Sequence, residues 1–465
     1  MDKRTNTEAR EYIAGLIERA RKAQRVADGY SQEFVDELIT AVCWDTVKDG
    51  PAQEIARLAV EESRMGTYEA KYGKLMVKLR GALRDMKGQK SVGIIERDDK
   101  KGIVKIAKPV GVVGAIVPCT NPEATPVLKA MMAIKTRNAV IFAPHPRTKK
   151  TNTYIVNLMR KTLNRYGVPE DLLIPIEEPT MDTSSELMRQ CDLILATGGS
   201  GMVKAAYSSG TPAYGVGAGN AVVVVDETAD LKDAAHKAMM SKTFDHATSC
   251  STENSMVVEE SMYDKFLENL QAEGGYLVNK EEKEKLQKGM WVNGVLNRDI
   301  VAQPAPVIGK VAGIDIPEDR KFIMVEETGI GPDHPFSGEK LSVVMTLFKY
   351  KGFPQAIEKV NAITGYQGSG HSCGIHTKDA DRAIEFALKT YTSRVMVRQP
   401  QCLANSGAWT NGMPMTLSLG CGTWGGNISS DNITWRKLLN TTWISFPIEN
   451  TQPTDEELFG DIMKN

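Results

Sequence analysis

The stretch that decides the fold is Leu193-Ile-Leu-Ala-Thr-Gly-Gly-Ser-Gly-Met-Val203. A short apolar run is followed at once by glycines and then by the start of a helical pattern. Glycine allows a backbone to approach a phosphate, and the N-terminus of a helix favours negative charge. The spacing is not GxGxxG, so an ordinary tight turn between a strand and a helix is an equal alternative. The stretch therefore predicts a strand–turn–helix unit, with nucleotide binding as one of two interpretations.

Similar apolar runs lie on both sides of this stretch and alternate with amphipathic segments. The predicted strands are Val110 to Val117, Ala139 to Phe142, Leu193 to Ala196 and Ala221 to Val225, and the predicted helices between them are Thr125 to Arg137, Thr151 to Arg165 and Met202 to Ser208. Strands that alternate with helices predict a parallel sheet covered on both faces, as in a doubly wound nucleotide-binding domain. A second glycine run, Gly215-Val-Gly-Ala-Gly-Asn220, favours the nucleotide interpretation.

A second alternating series begins near Phe244. Its predicted strands are Ser255 to Val258, Leu341 to Leu347, His371 to His376 and Arg394 to Val397. The sequence therefore predicts two doubly wound α/β domains. We expect residues 1–222, including N-terminal helices, to form a cofactor-binding domain, residues 223–405 a catalytic domain, and residues 406–465 a C-terminal return and oligomerisation segment. A site between the two domains is the default expectation.

Composition excludes several classes of partner. The 465 residues are 42% hydrophobic and 25% charged, with a formal net charge of -1, so neither nucleic acid nor an anionic membrane is indicated. No apolar run approaches the ~20 residues of a membrane span. Seven widely spaced cysteines argue against a disulfide framework, and none has the spacing of a zinc site. We expect no bound metal and a cytoplasmic, reducing location.

Cys250 is the candidate nucleophile. It lies in the polar stretch Phe244-Asp-His-Ala-Thr-Ser-Cys-Ser251, between the two predicted domains and just before a strand. A nucleophilic cysteine needs exposure and a route to its thiolate, which this position offers. The alternative is a buried packing cysteine, the usual fate of a free thiol. His246 could act as its base, or could equally be an ordinary histidine at a domain edge.

Several blocks of sequence resemble the CoA-acylating branch of the aldehyde dehydrogenases. They are Pro109-Val-Gly-Val-Val-Gly-Ala-Ile-Val-Pro-Cys-Thr-Asn121, Ala143-Pro-His-Pro-Arg-Thr-Lys-Lys150, Ala196 to Gly210, Gly215 to Asn220, Lys242 to Ser251, Gly338-Glu-Lys-Leu-Ser342 and Gly370-His-Ser-Cys-Gly-Ile-His376. The resemblance runs from about Ala14 into the C-terminal region, with the motifs in the same order. It implies the two-domain aldehyde dehydrogenase fold and a nicotinamide-dependent oxidoreductase.

The resemblance also implies a role for each matching residue. Cys250 would attack the aldehyde carbonyl, and Asn121 together with the backbone N–H of Cys250 would form the oxyanion hole, where charge develops as the thiolate adds. Glu339 would bind the nicotinamide ribose, although a solvated loop carboxylate is the alternative. The pyrophosphate would be held by the glycine loop, that is by Thr197, Gly198, Gly199, Ser200 and Gly201.

One departure from the wider family indicates the second substrate. Hydrolytic aldehyde dehydrogenases carry a glutamate that activates water, in a Glu-Leu-Gly-Gly-Lys segment. The matching segment here is Gly215-Val-Gly-Ala-Gly219, so glycine stands in place of that base. Without a general base, attack by water on an acyl-enzyme should be slow, whereas a thiol is an intrinsically strong nucleophile. CoA is therefore the expected acyl acceptor, and the reaction should be reversible.

The cofactor and the aldehyde stay open at this stage. The loop after the second predicted strand carries bases, including His145 and Arg147, and no acid. These bases are compatible with the 2′-phosphate of NADP and do not exclude NAD. They could equally be solvated side chains at the start of a helix. The overall pattern is most similar to branch members that act on sulfoacetaldehyde, with acetaldehyde and succinate semialdehyde as alternatives. Arg398 is the predicted partner of an anionic substrate group, or else a surface residue.

Two other functions are conceivable for this sequence. A non-catalytic binding or scaffold protein on the same fold is disfavoured because Cys250, Asn121 and Glu339 are all present. The predicted helix Thr7 to Ala27 could target the protein to a microcompartment. The simpler interpretation is that this helix packs against the rest of its domain. Exposed-looking apolar residues near Trp443 indicate contact between subunits, so a homodimer or homotetramer is expected. The expected partners are thus a small aldehyde, a CoA thioester and further copies of the chain.

Overall fold

A computed structural model describes residues 3–464, with side-chain surroundings for residues 7–463. The predicted N-terminal helix is confirmed as α1 (Lys3–Ala27), which buries Ile13 and Ala20 on one face. A second helix, α2 (Gln32–Val47), follows, and the Ser31 side chain accepts a hydrogen bond from the Phe34 N–H. Such an N-cap satisfies a donor that the first turn of a helix leaves without an intrahelical partner.

The remaining α-helices and strands include both alternating series and several elements outside them. The helices are α3 (Pro51–Ser63), α4 (Tyr68–Lys74), α5 (Arg80–Met86), α6 (Thr125–Lys135), α7 (Lys149–Arg165), α8 (Met181–Gln190), α9 (Ser200–Tyr207), α10 (Leu231–Thr243), α11 (Tyr263–Ala272), α12 (Lys280–Met290), α13 (Ala305–Ala312), α14 (Phe353–Tyr366), α15 (Ala380–Lys389), α16 (Gln401–Asn405) and α17 (Asp455–Phe459). The strands are β1 (Gly93–Asp98), β2 (Ile103–Pro109), β3 (Val112–Val117), β4 (Ala139–Pro144), β5 (Leu173–Pro175), β6 (Leu193–Thr197), β7 (Ala213–Val216), β8 (Ala221–Val225), β9 (Glu253–Glu259), β10 (Gly275–Leu277), β11 (Trp291–Val292), β12 (Val295–Leu296), β13 (Phe322–Glu326), β14 (Val344–Tyr350), β15 (Cys373–His376), β16 (Val395–Val397) and β17 (Leu439–Ser445).

The first series forms a parallel sheet of five strands in the order β5-β4-β3-β6-β7. The chain winds outward from β3 in one direction and then returns to wind outward from β6 in the other. In such open sheets a crevice forms at the carboxyl ends of the two central strands, where ligands bind. All side chains of β3 and β4 are buried, as expected of strands covered on both faces.

The second series forms a parallel sheet of seven strands in the order β10-β13-β14-β9-β8-β15-β16. The connection from the first sheet to the second is short, residues 217–220 between β7 and β8. The carboxyl edge of the first sheet therefore leads directly to the amino edge of the second. The predicted fold class, two doubly wound α/β units, is confirmed, while the domain boundaries remain a prediction.

A third, smaller sheet has the order β1-β2-β17 and was not predicted as strands. β17 pairs antiparallel with β2, from Leu439 opposite Pro109 to Ser445 opposite Ile103. Six of the seven residues of β17 are exposed, so the strand carries no apolar alternation that sequence analysis could detect. The C-terminal segment thus returns to the first half of the chain, where Trp435 joins its hydrophobic core.

Candidate active site

The strand ends at the carboxyl edge of the first large sheet face those at the amino edge of the second, and most of the predicted site residues lie in loops at these strand ends. We refer to these facing strand ends as the sheet junction. Asn121 and the glycine loop that begins at Thr197 follow β3 and β6 at the carboxyl edge of the first sheet. Cys250 and His371 precede β9 and β15 at the amino edge of the second sheet. Gly219, in the short connection, approaches Cys250 so closely that an added Cβ would lie 1.8 Å from the Cys250 carbonyl oxygen.

Cys250 is half-buried, and its Sγ lies 3.1 Å from Nε2 of His371. His371 is fully buried, and its Nδ1 lies 2.9 Å from the Ser372 hydroxyl. Arg394 donates to the backbone oxygen of His371 at 3.0 Å and so fixes the start of β15. A thiol within hydrogen-bond distance of an oriented imidazole is the arrangement of an activated cysteine nucleophile.

The electrostatics of this pair favour the neutral forms of both groups. Burial, with smaller contributions from Glu339 and Cys421, raises the pKa of the Cys250 thiol to about 12. Burial, with Arg394 adding to it, lowers the pKa of His371 to about 3. At neutral pH these shifts favour a thiol beside a neutral imidazole, whose Nε2 lies within hydrogen-bond distance of the thiol.

This resting state predicts the pH dependence of alkylation. Because the fraction of thiolate rises tenfold per pH unit below the pKa, alkylation of Cys250 by iodoacetamide should accelerate from neutral pH to about pH 10 without a plateau. His371→Ala should slow turnover most at neutral pH and less at alkaline pH. Timed alkylation of the cofactor-free enzyme measures the profile. A plateau already reached near neutral pH would show a preformed thiolate–imidazolium pair instead.

The Asn121 side chain is held from one side only. Nζ of Lys74 donates to its Oδ1 at 2.5 Å, while its Nδ2 has only a long contact of 3.4 Å with the Thr120 hydroxyl. Lysine can donate but cannot accept, so the atom that faces it must be the amide oxygen. The Asn121 NH₂ group is thereby left to donate to another acceptor, as an oxyanion hole requires.

Glu339 lies just before β14 and is near both Cys250 and the sheet connection. Its Oε1 accepts a hydrogen bond from the Gly219 N–H at 3.1 Å, and its own N–H donates to Gln367. Burial raises the pKa of Glu339 to about 8, although the Gly219 N–H and Lys340 oppose the shift. A carboxyl group in this position can accept hydrogen bonds from hydroxyl groups that enter the junction.

The glycine loop has the features of a phosphate cradle. α9 begins at Ser200 without a side-chain cap at Gly199, and added Cβ atoms at Gly199 or Gly201 would meet nothing within 4 Å. An open helix N-terminus without a capping side chain suits an anionic pyrophosphate. Thr197 is tied to the C-terminal segment, since its hydroxyl lies 3.1 Å from that of Ser418. The residues present therefore fit a dinucleotide.

His145 and Arg147 lie at the same carboxyl edge, directly after β4. Both are exposed, His145 accepts a hydrogen bond from the Arg147 N–H, and the Arg147 guanidinium donates to the Ser63 oxygen at 2.7 Å. The pKa of His145 is lowered, first by partial desolvation and then by Arg147 and Arg298. Arg298, from the second half of the chain, lies close enough to act on the charge of His145, so a second cation lies near this edge.

Gly215 is the residue that the family resemblance aligns with the glutamate of hydrolytic aldehyde dehydrogenases. It lies in β7, and a Cβ added there would come within 2.8 Å of both Tyr207 and Val203. The Tyr207 hydroxyl bonds to the backbone N–H and oxygen of Gly215, so its ring fills the adjoining space. The position is thus closed to any side chain as well as lacking a carboxylate.

Two residues singled out from the sequence lie elsewhere. The Arg398 backbone N–H, just after β16, donates to Ile375 at the carboxyl edge of the second sheet. At ~3.3 Å per residue this edge is about 13 Å from His371 along β15, beyond the reach of an exposed arginine side chain. The structure therefore does not support Arg398 as the partner of a substrate at Cys250. His246 is not the partner of the thiol either, because His371 takes that place.

The comparisons with known proteins agree with this geometry. Residues 17–293 match the model of the aldehyde dehydrogenase family. A sulfoacetaldehyde dehydrogenase from an Acholeplasma species is 47% identical over 97% of this chain and 94% of its own. An acylating sulfoacetaldehyde dehydrogenase from Bilophila wadsworthia is 45% identical, over 97% and 98%. The crystal structure of an acetylating aldehyde dehydrogenase from Geobacillus thermoglucosidasius superposes with a TM-score of 0.93 at 37% identity, over 97% and 99%.

Proposed function

The chain belongs to the aldehyde dehydrogenase family, and on that premise we propose that it is a CoA-acylating aldehyde dehydrogenase in which Cys250 carries the acyl group. The observation that carries the proposal is the Cys250–His371 pair at the sheet junction, next to a position that holds no hydrolytic base. The enzyme converts an aldehyde, CoA and NAD(P)⁺ reversibly into an acyl-CoA and NAD(P)H.

The first half-reaction forms the bond between Cys250 and the substrate. His371 Nε2 takes the thiol proton as Sγ adds to the aldehyde carbonyl, and the carbonyl oxygen becomes an oxyanion. The Asn121 NH₂ group and the Cys250 N–H donate to that oxygen as its charge develops. When bound, the nicotinamide accepts the hydride, and with it two electrons, so that a thioester remains on Cys250.

The second half-reaction transfers the acyl group to CoA. His371 first releases the Cys250 proton to solvent. The CoA thiol then gives its proton to the neutral His371 and attacks the thioester carbonyl, which again gains charge facing Asn121. Collapse of this intermediate breaks the bond to Cys250, whose sulfur recovers the proton from His371. One thioester replaces another, so the free-energy change is small and the reaction can run toward reduction of an acyl-CoA.

The cofactor side of the junction supports either nicotinamide cofactor. Thr197, Gly198, Gly199, Ser200 and Gly201 would hold the pyrophosphate, and Glu339 would accept hydrogen bonds from the nicotinamide ribose. His145 and Arg147, with Arg298 nearby, would face phosphate groups at the adenosine end. Both NADP and CoA carry an additional phosphate on that ribose, so the same bases serve either molecule.

A cavity with several cationic lining residues supports an anionic aldehyde as the substrate. It measures about 700 Å³ and lies between α5, α6 and the C-terminal segment. Its charged lining residues are Arg84, Asp85, Arg394, Asp431, Arg436 and Lys437. Arg84 pairs with Asp85 and Lys437 pairs with Asp431, which leaves two of the cations without an ion pair among the described residues. Arg394 connects the cavity to the active site through His371, so we propose that sulfoacetaldehyde enters here.

The proposal predicts a selective effect of Arg436, which lies exposed at the rim with its guanidinium over Trp435. Wild type should have a higher kcat/KM for sulfoacetaldehyde than for acetaldehyde or succinate semialdehyde. Arg436→Ala should lower kcat/KM for sulfoacetaldehyde by roughly two- to five-fold, and for acetaldehyde little, with the loss shrinking at high salt. Arg398→Ala is the matched control and should change neither rate.

The same assays compare the three aldehydes and so decide the substrate class. They are run with NAD⁺ and with NADP⁺ so that the preferred cofactor is measured as well. A wild-type preference for acetaldehyde would contradict sulfoacetaldehyde as the substrate. Equal losses on both aldehydes in Arg436→Ala would contradict entry of the substrate through this cavity.

The partners also include further copies of the chain. β17 is an edge strand of the small sheet, and its exposed fractions are 61% at Trp443 and 37% at Ile444, with Phe446 and Ile448 exposed just beyond it. An apolar edge of this kind favours contact between subunits in a homodimer or homotetramer. No helix among residues 3–464 is long and apolar enough to cross a membrane. Seven free cysteines favour the cytoplasm as the location.

A further inference from the structure

Four buried charges lie directly behind the proposed oxyanion hole. Lys71 and Lys74 project from α4, Glu123 follows Asn121 in the chain, and Asp245 precedes the nucleophile by five residues. The side chains of these residues are between 0% and 5% exposed. Two ammonium groups balance two carboxylates, as a buried group of charges must to avoid a large desolvation cost. We refer to these four residues as the charge cluster.

The charge cluster connects α4 to the loop after β3. Lys74 Nζ lies 2.5 Å from Asn121 Oδ1, 2.5 Å from Asp245 Oδ2 and 3.0 Å from Glu123 Oε1. Lys71 Nζ lies 2.6 Å from the Thr120 backbone oxygen and 2.8 Å from Asp245 Oδ2. The two lysines therefore hold both the backbone before Asn121 and the side chain of Asn121 itself.

The same cluster connects to the nucleophile loop. Asp245 accepts hydrogen bonds from the Thr67 N–H at 3.0 Å and from the Thr248 hydroxyl at 2.7 Å. Its backbone and those of His246 and Ala247 have φ values of 50°, 48° and 61°, in the left-handed region that side chains disfavour. Such strain persists only where the surroundings hold it, and it lies here immediately before Cys250. Although burial alone would raise it, Lys74 and Lys71 lower the pKa of Asp245 to about 2, so the carboxylate stays charged.

We propose that Lys74, anchored by Asp245, is a positioning residue for the reaction: it fixes the Asn121 amide with its oxygen turned away from the substrate and its NH₂ group turned toward the oxyanion. A positive charge at the amide oxygen also polarises the amide, which makes its N–H a stronger donor. This inference rests on the proposed role of Asn121 in the oxyanion hole. On this proposal the charge cluster stabilises the oxyanion of the transition state and does not change the reactivity of the Cys250 thiol before substrate binds.

A double-mutant cycle tests the inference. Asn121→Ala should lower kcat/KM for the aldehyde by about 10²-fold or more, the usual cost of removing one oxyanion donor. Lys74→Met keeps the length of the side chain, removes its charge and should cost a similar factor. The double variant should be no worse than Asn121→Ala alone, because both changes remove the same interaction.

Two controls distinguish loss of the Asn121 position from a general loss of folding or stability. Lys78 is a buried lysine one turn further along, and its Nζ donates to Leu403 and Gly407 backbone oxygens rather than to Asn121. Lys78→Met should therefore keep kcat/KM within a few-fold of wild type. Iodoacetamide alkylation of Cys250 forms no oxyanion, so its rate should be unchanged in Lys74→Met and Asn121→Ala.

The outcomes are distinguishable. A weak effect of Asn121→Ala would contradict the oxyanion hole in the proposed function itself. A strong effect of Asn121→Ala together with a weak effect of Lys74→Met, or with losses that multiply in the double variant, would overturn the role of Lys74. If Lys74→Met does not fold, Asp245→Asn carries the same cycle, because it removes the anchor of the ammonium group while keeping the side-chain shape. It should lower kcat/KM at least tenfold and add nothing to Asn121→Ala.

Discussion

Replacement of Cys250 by alanine should abolish CoA-dependent aldehyde oxidation, with kcat falling by ~10⁴-fold or more, as when a covalent nucleophile is removed elsewhere. No other thiol can replace it, because only Cys250 lies beside His371 at the sheet junction among the described residues. Cys250→Ser should be almost as inactive, since a hydroxyl is a much weaker nucleophile than a thiol at neutral pH. Steady-state NAD(P)H formation measures the loss.

The matched control for this prediction is Cys119→Ala. Cys119 is half-buried like Cys250, and removal of its thiol tests whether damage to any accessible cysteine is enough. This variant should retain much of the wild-type turnover, as should Cys191→Ala and Cys373→Ala, whose thiols are buried. Turnover by Cys250→Ala near the wild-type rate would end the assignment of the nucleophile.

Omission of CoA should stop the reaction after at most one NAD(P)H per active site. The thioester on Cys250 then has no acceptor, because Gly215 carries no base and Tyr207 fills the space beside it. Without a general base, hydrolysis loses a factor of about 10²–10⁴, the usual contribution of positioned proton transfer. A burst of absorbance followed by a flat trace is the expected result, and addition of CoA should restore steady turnover.

Sustained oxidation to the free acid without CoA would contradict this prediction. Glu339 would then be the first residue to test, because it lies near Cys250 and its pKa, raised to about 8 by burial, is in the range of a general base. Glu339→Gln would abolish such hydrolysis if Glu339 were the base. If Glu339 binds the nicotinamide ribose, as proposed, the same variant weakens cofactor binding instead.

The parts of the fold that sequence analysis predicted are those with strong local patterns. β8 matches its predicted bounds, and β3, β4 and β6 match theirs within two residues, because each is a buried apolar run between turns. β14 begins three residues later than predicted, since Leu341 lies in a left-handed turn with φ 43°. β17 was missed because its pairing with β2 joins segments far apart in the chain, and no local pattern records that contact.

In the site too, residues that lie in recognisable sequence motifs were predicted, and residues that depend on long-range contacts were not. Cys250, Asn121, Glu339 and the glycine loop were predicted from the family resemblance, and each lies in a loop at the facing ends of the two large sheets. His371 was present in a quoted motif, but its position at the thiol depends on β15 lying two strands from β9 in the sheet. Lys74 carried no signal at all, because a lysine in a helix is ordinarily solvated. Arg398 was predicted because its charge suits an anionic substrate, and the sheet places it at the opposite edge.

The central claim is that Cys250 carries an acyl group which only a thiol acceptor removes efficiently. The most direct test is the intact mass of the enzyme after mixing with sulfoacetaldehyde and NAD(P)⁺ in the absence of CoA, followed by peptide mapping. We expect one sulfoacetyl group per chain, located on Cys250, which disappears within the turnover time once CoA is added and reappears as sulfoacetyl-CoA. An unmodified Cys250 during a burst of NAD(P)H, or an adduct that CoA does not remove, would contradict the claim.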